Sequence, residues 1–167
     1  EVRKKGEGAY SPLGQKPVKQ TNVQTVFPVQ EICLWEPENP HLYEIRTSLW
    51  KNGEMIDARV DITGFREAGF RKDGFYLNGK KLRLRGLNRH QSYPYVGYAA
   101  PASMQIFDAD ILKKELGVNA VRTSHYPQSQ DFIRRCDEIG LLVFTEFPGW
   151  QHIGDEEWKR QAVQNLK

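Results

Sequence analysis

The stretch VNAVRTSHYPQSQDFIRRCDEIGLLVF, residues 118–144, decides the fold class. It opens with a short apolar run, continues through polar residues where Gln128 or Ser129 can begin a helix, and closes with a second apolar run after Gly140. A nearly unbroken apolar run such as 141–144 is typical of a strand covered on both faces. The stretch therefore predicts a strand, a helix and a second strand, and the strands of such a unit are parallel. The inward-facing positions of the helix are Phe132, Ile133, Cys136 and Ile139.

The same alternation continues on both sides of this stretch. A strand is predicted at 82–85, followed by a helix that Ser103 can cap and Gly117 can end, and Asp155 can cap a last helix. Residues 82–167 thus predict three strand–helix units, either the first three of a (β/α)8 barrel or half of an open doubly wound sheet. The phosphate-binding motifs GxGxxG and GxxxxGK(S/T) follow none of the strands, which disfavours a nucleotide-binding sheet. The apolar stripe of the first helix consists of Met104, Phe107, Ile111, Leu112 and Leu116.

The N-terminal part shows the two-residue alternation of β-strands instead. Antiparallel strands are predicted within 29–64, with a hairpin turn at Asn52-Gly53, because this dipeptide accepts positive φ angles. A second hairpin is predicted around Asn78-Gly79. Residues 1–28 predict loop with one strand near 18–27. The result is a short antiparallel sandwich with one buried face. The predicted buried positions of one strand are Ile56, Ala58, Val60 and Ile62.

Composition excludes several classes of protein. The chain has 167 residues, enough for one domain or two small ones, and a formal net charge of +3, too small to indicate a nucleic-acid binder. No apolar run approaches the roughly 20 residues that span a bilayer, so no membrane protein is expected. The two cysteines, Cys33 and Cys136, are far apart, which argues against a disulfide framework and a cysteine metal site.

The ends of the chain lead us to expect a segment of a longer protein. The sequence starts without Met and shows no positively charged, then apolar, leader. Targeting signals of the parent protein would lie outside the segment. The compartment is therefore left open between cytoplasm and periplasm.

Polar side chains follow each of the three predicted parallel strands. In parallel α/β folds, functional groups gather beyond the C-terminal strand ends. These clusters therefore converge on one face. The candidates are Asn88, Arg89, His90 and Gln91 after the first strand, Arg122, Thr123, Ser124, His125, Tyr126 and Pro127 after the second, and Glu146, Phe147, Pro148, Gly149 and Trp150 after the third.

Two other chemistries are weighed for these residues. Ser124 next to His125 could suggest nucleophilic catalysis, but chain neighbours rarely face each other, and no GxSxG elbow occurs. The four histidines include no HxH or HExxH spacing, which disfavours a metal site. A metal-dependent hydrolase using His90 and His125 is kept as an alternative that bound zinc or magnesium would support.

Several motifs taken together resemble glycoside hydrolase family 2. They occur in the family's order between about residues 34 and 150. They are LWEPENPHLY at 34–43, GFR at 64–66, FYLNGK at 75–80, LRGLNRH at 84–90, NAVRTSHYP at 119–127 and CDEIGL at 136–141.

This resemblance implies an immunoglobulin-like β-sandwich followed by a TIM barrel. Residues 1–70 would be the C-terminal part of the sandwich and 71–167 the first three βα units of the barrel. Members of the family are β-galactosidases, β-glucuronidases and β-mannosidases, and we expect a β-galactoside substrate. The resemblance also implies a retaining mechanism with two glutamates. In the family the acid/base glutamate follows an Asn, and no Asn of this chain precedes Glu, so both are expected beyond Lys167.

Residue by residue, the resemblance carries over a sugar-binding shell. His125 matches a histidine near the sugar hydroxyls and Arg122 an arginine that supports the carboxylates. Where the family often has Glu after NRH this chain has Gln91, and where it often has Asp-Glu after the third strand this chain has Thr145-Glu146. A cation site at these positions is therefore not supported, and no cofactor is expected, although a divalent cation in the parent protein stays open. The predicted substrate-binding residues are Asn88, Arg89, His90, Arg122, His125, Glu146 and Trp150.

The expected partner is a β-glycoside, with no nucleic acid and no membrane. An incomplete barrel would leave Val121, Leu142 and Phe144 uncovered, which is compatible with a homo-oligomer. A non-catalytic carbohydrate-binding or structural module is the alternative from another class. An Asn-Glu pair encoded within roughly 50 residues beyond Lys167 would favour the enzyme, because the fourth strand follows at the usual βα spacing.

Overall fold

A computed structural model describes Glu1–Leu166 and contains three three-stranded sheets and three α-helices. One sheet is parallel and two are antiparallel. The first helix runs directly into a π-helical turn, Ile111–Glu115. The elements are β1 Val2–Lys4, β2 Tyr43–Lys51, β3 Glu54–Thr63, β4 Ala68–Arg71, β5 Gly74–Leu77, β6 Lys80–Leu82, β7 Gly86–Asn88, α1 Ala102–Asp110, β8 Ala120–Arg122, α2 Gln130–Ile139, β9 Leu142–Phe144 and α3 Glu156–Asn165.

The first sheet has the order β1-β2-β3 and is antiparallel. Its predicted hairpin is confirmed, since Asn52 and Gly53 both have positive φ, 54° and 83°, between β2 and β3. The predicted strand near 18–27 is wrong. That stretch forms none of the described strands, and Val2–Lys4 pairs with β2 instead. Pro17 and Pro28 flank the stretch and lack the N–H that a strand ladder needs.

The apolar face of this sheet is not buried within the described residues. Ile56, Val60 and Ile62 are each about half exposed on β3, and Leu49 is exposed on β2. Only the Tyr43 end of β2 reaches the core. The alternation that predicted strands is confirmed, whereas the burial of this face is wrong for residues 1–166, because no second sheet packs on it there.

The second sheet has the order β4-β5-β6 and is also antiparallel. Its hairpin at Asn78-Gly79 is confirmed, with φ angles of 50° and 78°. The Asn78 side chain donates to the Trp35 carbonyl at 3.0 Å and accepts from the Glu67 N–H at 3.0 Å. It thus ties the hairpin to the preceding chain. Strand β4 was not predicted.

The third sheet has the order β7-β8-β9 and is parallel, as predicted. Its first strand lies at Gly86–Asn88, a few residues later than expected. Helices α1 and α2 pack together beside it. They share one apolar cluster with the sheet, formed by Ala109, Leu112, Val121, Phe132, Cys136 and Leu141.

A second apolar cluster joins the parallel sheet to the N-terminal part of the chain. Its buried members are Trp35, Leu42, Phe75, Leu77, Ala120 and Leu142, with Phe144 packed against them. The expectation that Val121, Leu142 and Phe144 are uncovered is therefore wrong. Alternate residues of these short strands point to opposite sides, so Val121 faces the helices while Ala120 and Leu142 face this cluster.

The predicted N-cap residues are confirmed for two of the three α-helices. Ser129 caps α2 by accepting from the Asp131 N–H at 3.3 Å, and Gly140 ends α2 with φ 75°. Asp155 caps α3 by accepting from the Trp158 N–H at 2.9 Å. The Ser103 cap is wrong, because Pro101 occupies the N-cap position and Ser103 lies inside the first turn of α1.

The buried face of α1 also differs from the predicted stripe. Phe107 and Leu116 are exposed, whereas Gln105 and Ala109 are buried. Gln105 is buried because its side-chain oxygen accepts from Arg89 at 2.7 Å. A hydrophobic pattern cannot predict the burial of a polar residue whose partner is distant in the sequence. Gly117 ends the helical segment with φ 63°, as predicted.

Polar contacts also join the N-terminal part to the end of α2. Trp35 Nε1 donates to the Asp137 carbonyl at 2.8 Å. Lys113 Nζ donates to the carbonyls of Pro37 and Gly140, at 2.9 and 2.8 Å. Buried carbonyl groups need such donors, so these bonds fix the α2 end against residues 35–37.

Two neighbouring carboxyls at this end should affect stability with opposite dependence on pH. Burial raises the pKa of Asp137, so the stability it contributes is present below its unfolded pKa and lost as pH rises through the folded pKa. A hydrogen bond from Lys5 lowers the pKa of Glu138, so its contribution is present above the unfolded pKa and lost as pH falls through the folded pKa. Asp137→Asn should therefore raise the melting temperature at neutral pH, and Glu138→Gln should lower it.

The measurement is calorimetry of the full-length protein at about pH 4 and about pH 7, values that bracket carboxyl titration. Both differences from the wild type should shrink at the lower pH. If the two variants shift the melting temperature in the same direction at neutral pH, the opposite assignments of the two carboxyls are wrong.

Candidate functional site

The candidate site lies at the C-terminal edge of the parallel sheet. Asn88, Arg122 and Phe144 are the last residues of β7, β8 and β9, and they are in register across the sheet. The segments that follow them therefore leave the sheet at the same level. The structure brings six of the seven predicted substrate-binding residues to this edge.

Arg122 occupies the centre of the cluster. Its Nε forms an ion pair with Glu146, and its terminal nitrogens lie 3.4 Å from His125 Nδ1 and 3.5 Å from Asn88 Oδ1. A second contact of 3.4 Å reaches Ser124 Oγ. The guanidinium thus links side chains from all three strand ends, and its planar donors suit this role.

Glu146 is positioned by backbone contacts as well as by Arg122. Its N–H donates to Thr123 Oγ1 at 3.0 Å, and the Thr123 N–H donates to the Phe144 carbonyl at 3.1 Å. The second carboxylate oxygen lies 3.5 Å from His125 Nδ1. The carboxylate is therefore held between a cation and an imidazole, with its charge balanced by Arg122.

Five rings form a continuous row across the same edge, which we call the aromatic row. The centroid of His125 lies 5.5 Å from those of His90 and Trp150. The row continues from His90 to Tyr126 at 6.0 Å and from Tyr126 to Tyr98 at 5.9 Å. Such spacings are those of tilted and edge-to-face aromatic contacts.

Tyr126 is held in the row by its hydroxyl group. The oxygen lies 3.3 Å from His90 Nδ1 and accepts from the Gln91 N–H at 3.3 Å. Burial raises the pKa of Tyr126, so the hydroxyl stays protonated at neutral pH and can donate as well as accept.

Arg89 lies outside the cluster, which corrects its predicted place in the shell. The residue is only 5% exposed, and its side chain enters the space between α1 and α2. There it pairs with Asp108 at 2.7 Å, bonds Gln105 and Gln128, and places its guanidinium carbon 4.0 Å from the centroid of the Phe132 ring. Neutralisation of a buried cation by these partners is a structural role.

Two ring residues of the site were absent from the predicted shell. The strand-end pattern indicates Tyr126 only as a neighbour of the shell, and Tyr98 lies in the loop after β7. The repeated tyrosines of that loop, at 93, 95 and 98, are the sequence signal that could have indicated them.

The described residues limit other assignments of the site. Within residues 1–166, no three or more His, Cys, Asp and Glu side chains are grouped so as to hold a metal ion. Likewise, none of the helices described there is both long and apolar enough to cross a membrane.

A cavity of about 330 Å³ lies beside the cluster, between the β9 loop and α3, and Glu146 is the cluster residue that lines it.

The chemistry of the cluster suits a polyhydroxylated ring. Guanidinium, carboxylate, amide and imidazole groups can donate to or accept from hydroxyls, while the flat faces of the aromatic row can contact the apolar face of the ring. Among the described cluster residues, Glu146 is the one carboxylate, and it is neutralised by Arg122.

Two family models match the chain, one after the other. The model described as "Glycosyl hydrolases family 2" matches residues 2–66, and "Glycosyl hydrolases family 2, TIM barrel domain" matches residues 69–165. The family expected from the sequence motifs is therefore confirmed. The matches correspond to a TIM-barrel domain preceded by a sandwich domain.

Named relatives agree with these matches. A beta-galactosidase of Thermoanaerobacterium thermosulfurigenes is 57% identical over 152 residues, which cover 91% of this chain and 21% of that protein. A putative beta-glucuronidase of Formosa agariphila is 42% identical over 135 residues, which cover 80% of this chain and 16% of that protein. The solved apo structure of Bacteroides uniformis beta-glucuronidase 3 is 40% identical with a TM-score of 0.67, covering 80% of this chain and 17% of that one. The chain thus spans about a fifth of the length of such relatives.

Proposed function

The chain belongs to the glycosyl hydrolases of family 2, and from that membership we propose that it is a segment of a retaining β-glycosidase. Residues 1–70 are the C-terminal part of its immunoglobulin-like sandwich, and 71–167 are the first three βα units of its TIM barrel. The exposed apolar face of β2 and β3 then packs against the second sheet of the sandwich. In a TIM barrel, the C-terminal strand ends carry the active site.

One observation carries this proposal: the cluster of Arg122, Glu146 and His125 at the ends of adjacent parallel strands. It offers donors and acceptors for sugar hydroxyls, and the aromatic row lies alongside it. His125 and Asn88 bond hydroxyls of the cleaved sugar, Arg122 holds Glu146 in place, and His90 and Trp150 contact the ring.

The two catalytic carboxylates come from beyond Lys167 in this proposal. A retaining glycosidase needs two carboxyl groups about 5–5.5 Å apart, one as the acid/base and one as the nucleophile. The cluster supplies Glu146 alone, and that carboxylate is engaged by the ion pair with Arg122 and by the contact with His125.

A β-galactoside is the favoured substrate. The relative that is 57% identical is named a beta-galactosidase, whereas the two glucuronidases are 42% and 40% identical. Hydroxyl-binding groups determine sugar preference, so kinetics on glycosides of the three sugars tests this choice.

The test compares the full-length protein with the 167-residue chain on chromogenic β-galactoside, β-glucuronide and β-mannoside. We expect the full-length protein to cleave the β-galactoside best and to release the β-anomer first, as a retaining enzyme does. The chain alone should show turnover no higher than the blank, because acid catalysis by itself contributes about 10²–10⁴-fold and the nucleophile is lost as well.

Two outcomes would contradict the proposal. Turnover by freshly purified chain, from a host without such enzymes, would mean that the catalytic carboxylates lie within residues 1–167. Sugar binding without turnover by the full-length protein would indicate a non-catalytic carbohydrate-binding module.

A further inference from the structure

The aromatic row extends past the polar cluster. From His125 it passes through His90 and Tyr126 to Tyr98, each centroid 5.5–6.0 Å from the next. Tyr98 is 65% exposed although its ring contacts Tyr126. Apart from their own ion pair, Arg122 and Glu146 contact Asn88, Thr123, Ser124 and His125, at the other end of the row. The row therefore reaches further than one bound sugar requires.

The loop that carries Tyr98 is tied to the fold just before it. The Tyr93 hydroxyl proton is shared between two acceptors, the Met104 carbonyl at 3.0 Å and the Asp108 carboxylate. Burial raises the pKa of Tyr93 to about 12, so this donor is kept at any physiological pH. Tyr93 and Gly97 also exchange backbone hydrogen bonds of 3.0 and 2.9 Å. Tyr98 thus starts from an anchored turn, which lowers the entropy lost when a ligand binds.

The two ends of the row differ in chemistry. The His125 end combines rings with a guanidinium and a carboxylate, which can fix the hydroxyls of one sugar in one orientation. The Tyr98 and Tyr126 end offers ring faces and two phenol groups, which can hold the C–H face of a sugar ring with less demand on its hydroxyl pattern. A cleaved sugar needs the first kind of contact and a leaving group the second, since only the cleaved sugar is distorted in the reaction.

We propose that Tyr98 and Tyr126 form the leaving-group contact of the site and take the second sugar ring of a β-linked oligosaccharide. The assignment rests on the proposed glycosidase function. His90 contacts both His125 and Tyr126, so a sugar bound by His125 with its ring against His90 and Trp150 has Tyr126 and Tyr98 beside it, about one ring length further along the row. Tyr98 then determines preference for the leaving group and has no part in binding the cleaved sugar.

The experiment uses the full-length enzyme and two substrates of the sugar that it cleaves, the β-linked disaccharide and the methyl β-glycoside. Tyr98→Ala should lower kcat/KM on the disaccharide at least fivefold, because binding of the leaving ring is lost. On the methyl glycoside the change should stay within twofold, because methyl has no ring to stack. Tyr98→Phe should keep most of the disaccharide activity.

Tyr95→Ala is the matched control, since Tyr95 lies in the same loop, is fully exposed and is not part of the row. It should change neither substrate's kcat/KM more than twofold. Equal losses by Tyr98→Ala on both substrates, or no loss on either, would overturn the leaving-group assignment. An aryl β-glycoside of the same sugar serves as a third substrate for Tyr98→Ala, and a loss on it without one on the disaccharide would overturn the choice of a sugar as occupant. A wild-type enzyme that cleaves neither substrate would overturn the glycosidase proposal itself.

Discussion

His125→Ala in the full-length protein should lower the kcat/KM of the proposed glycosidase on its preferred β-glycoside at least tenfold, with little change in melting temperature. The imidazole lies 3.4 Å from Arg122 and 3.5 Å from Glu146, and its ring contacts those of His90 and Trp150. A hydrogen bond to a hydroxyl that strengthens in the transition state supplies this amount, since tenfold corresponds to about 1.4 kcal/mol. Steady-state kinetics on aryl glycosides of galactose, glucuronic acid and mannose provide the measurement.

His41→Ala is the matched control, because His41 lies outside the cluster, next to Leu42 in the N-terminal part. It should leave kcat/KM within twofold of the wild-type value. Unchanged kinetics for His125→Ala on all three sugars would remove His125 from the site. A large fall in melting temperature would instead show that its contacts serve the fold.

Gly140→Ala should destabilise the protein by about 2–5 kcal/mol, the largest effect on stability that we expect from one added methyl group. Gly140 has φ 75°, a conformation that costs other residues roughly 1–2 kcal/mol. A Cβ atom there would also lie 2.0 Å from the Pro37 carbonyl oxygen. Since that neighbour is backbone, the strain moves residues 35–37, adding roughly 1–3 kcal/mol.

Gly117→Ala separates the two causes. Gly117 has a similar φ, 63°, but a Cβ atom there would meet nothing within 4 Å. Gly117→Ala should therefore lower the free energy of unfolding only by the cost of the positive φ angle, about 1–2 kcal/mol. Thermal and denaturant unfolding of both full-length variants gives the comparison. Equal destabilisation would mean that the contact between Gly140 and Pro37 adds no strain.

The sequence predicted those parts of the fold whose causes are local. The turns at Asn52-Gly53 and Asn78-Gly79, and the caps at Ser129 and Asp155, depend on residues within a few positions of each other. Strand β1 depends on a distant partner, since Val2 pairs with Ile45. Three residues with little pattern cannot indicate such a pairing before the partner is known.

In the site, too, the sequence predicts what has a local cause and misses what depends on distant residues. The strand-end rule placed Arg122, His125 and Glu146 together, because register alone sets the level at which parallel strands end. The rule does not give the direction of a side chain, so Arg89 was assigned to the site although it points between the helices. The burial of Arg89 depends on Asp108 and Gln105, which belong to a helix 16 or more residues away.

The apolar cluster that joins Trp35 and Leu42 to Phe75, Ala120 and Leu142 bears on how genes of this family can recombine. A crossover between residues 66 and 69 would leave both family matches whole. It would nevertheless unite half of a core from one parent with half from another, and core residues tolerate mismatched volumes poorly. A crossover ahead of residue 34 passes on the cluster, and the bond from Trp35 to Asp137, as one inherited unit.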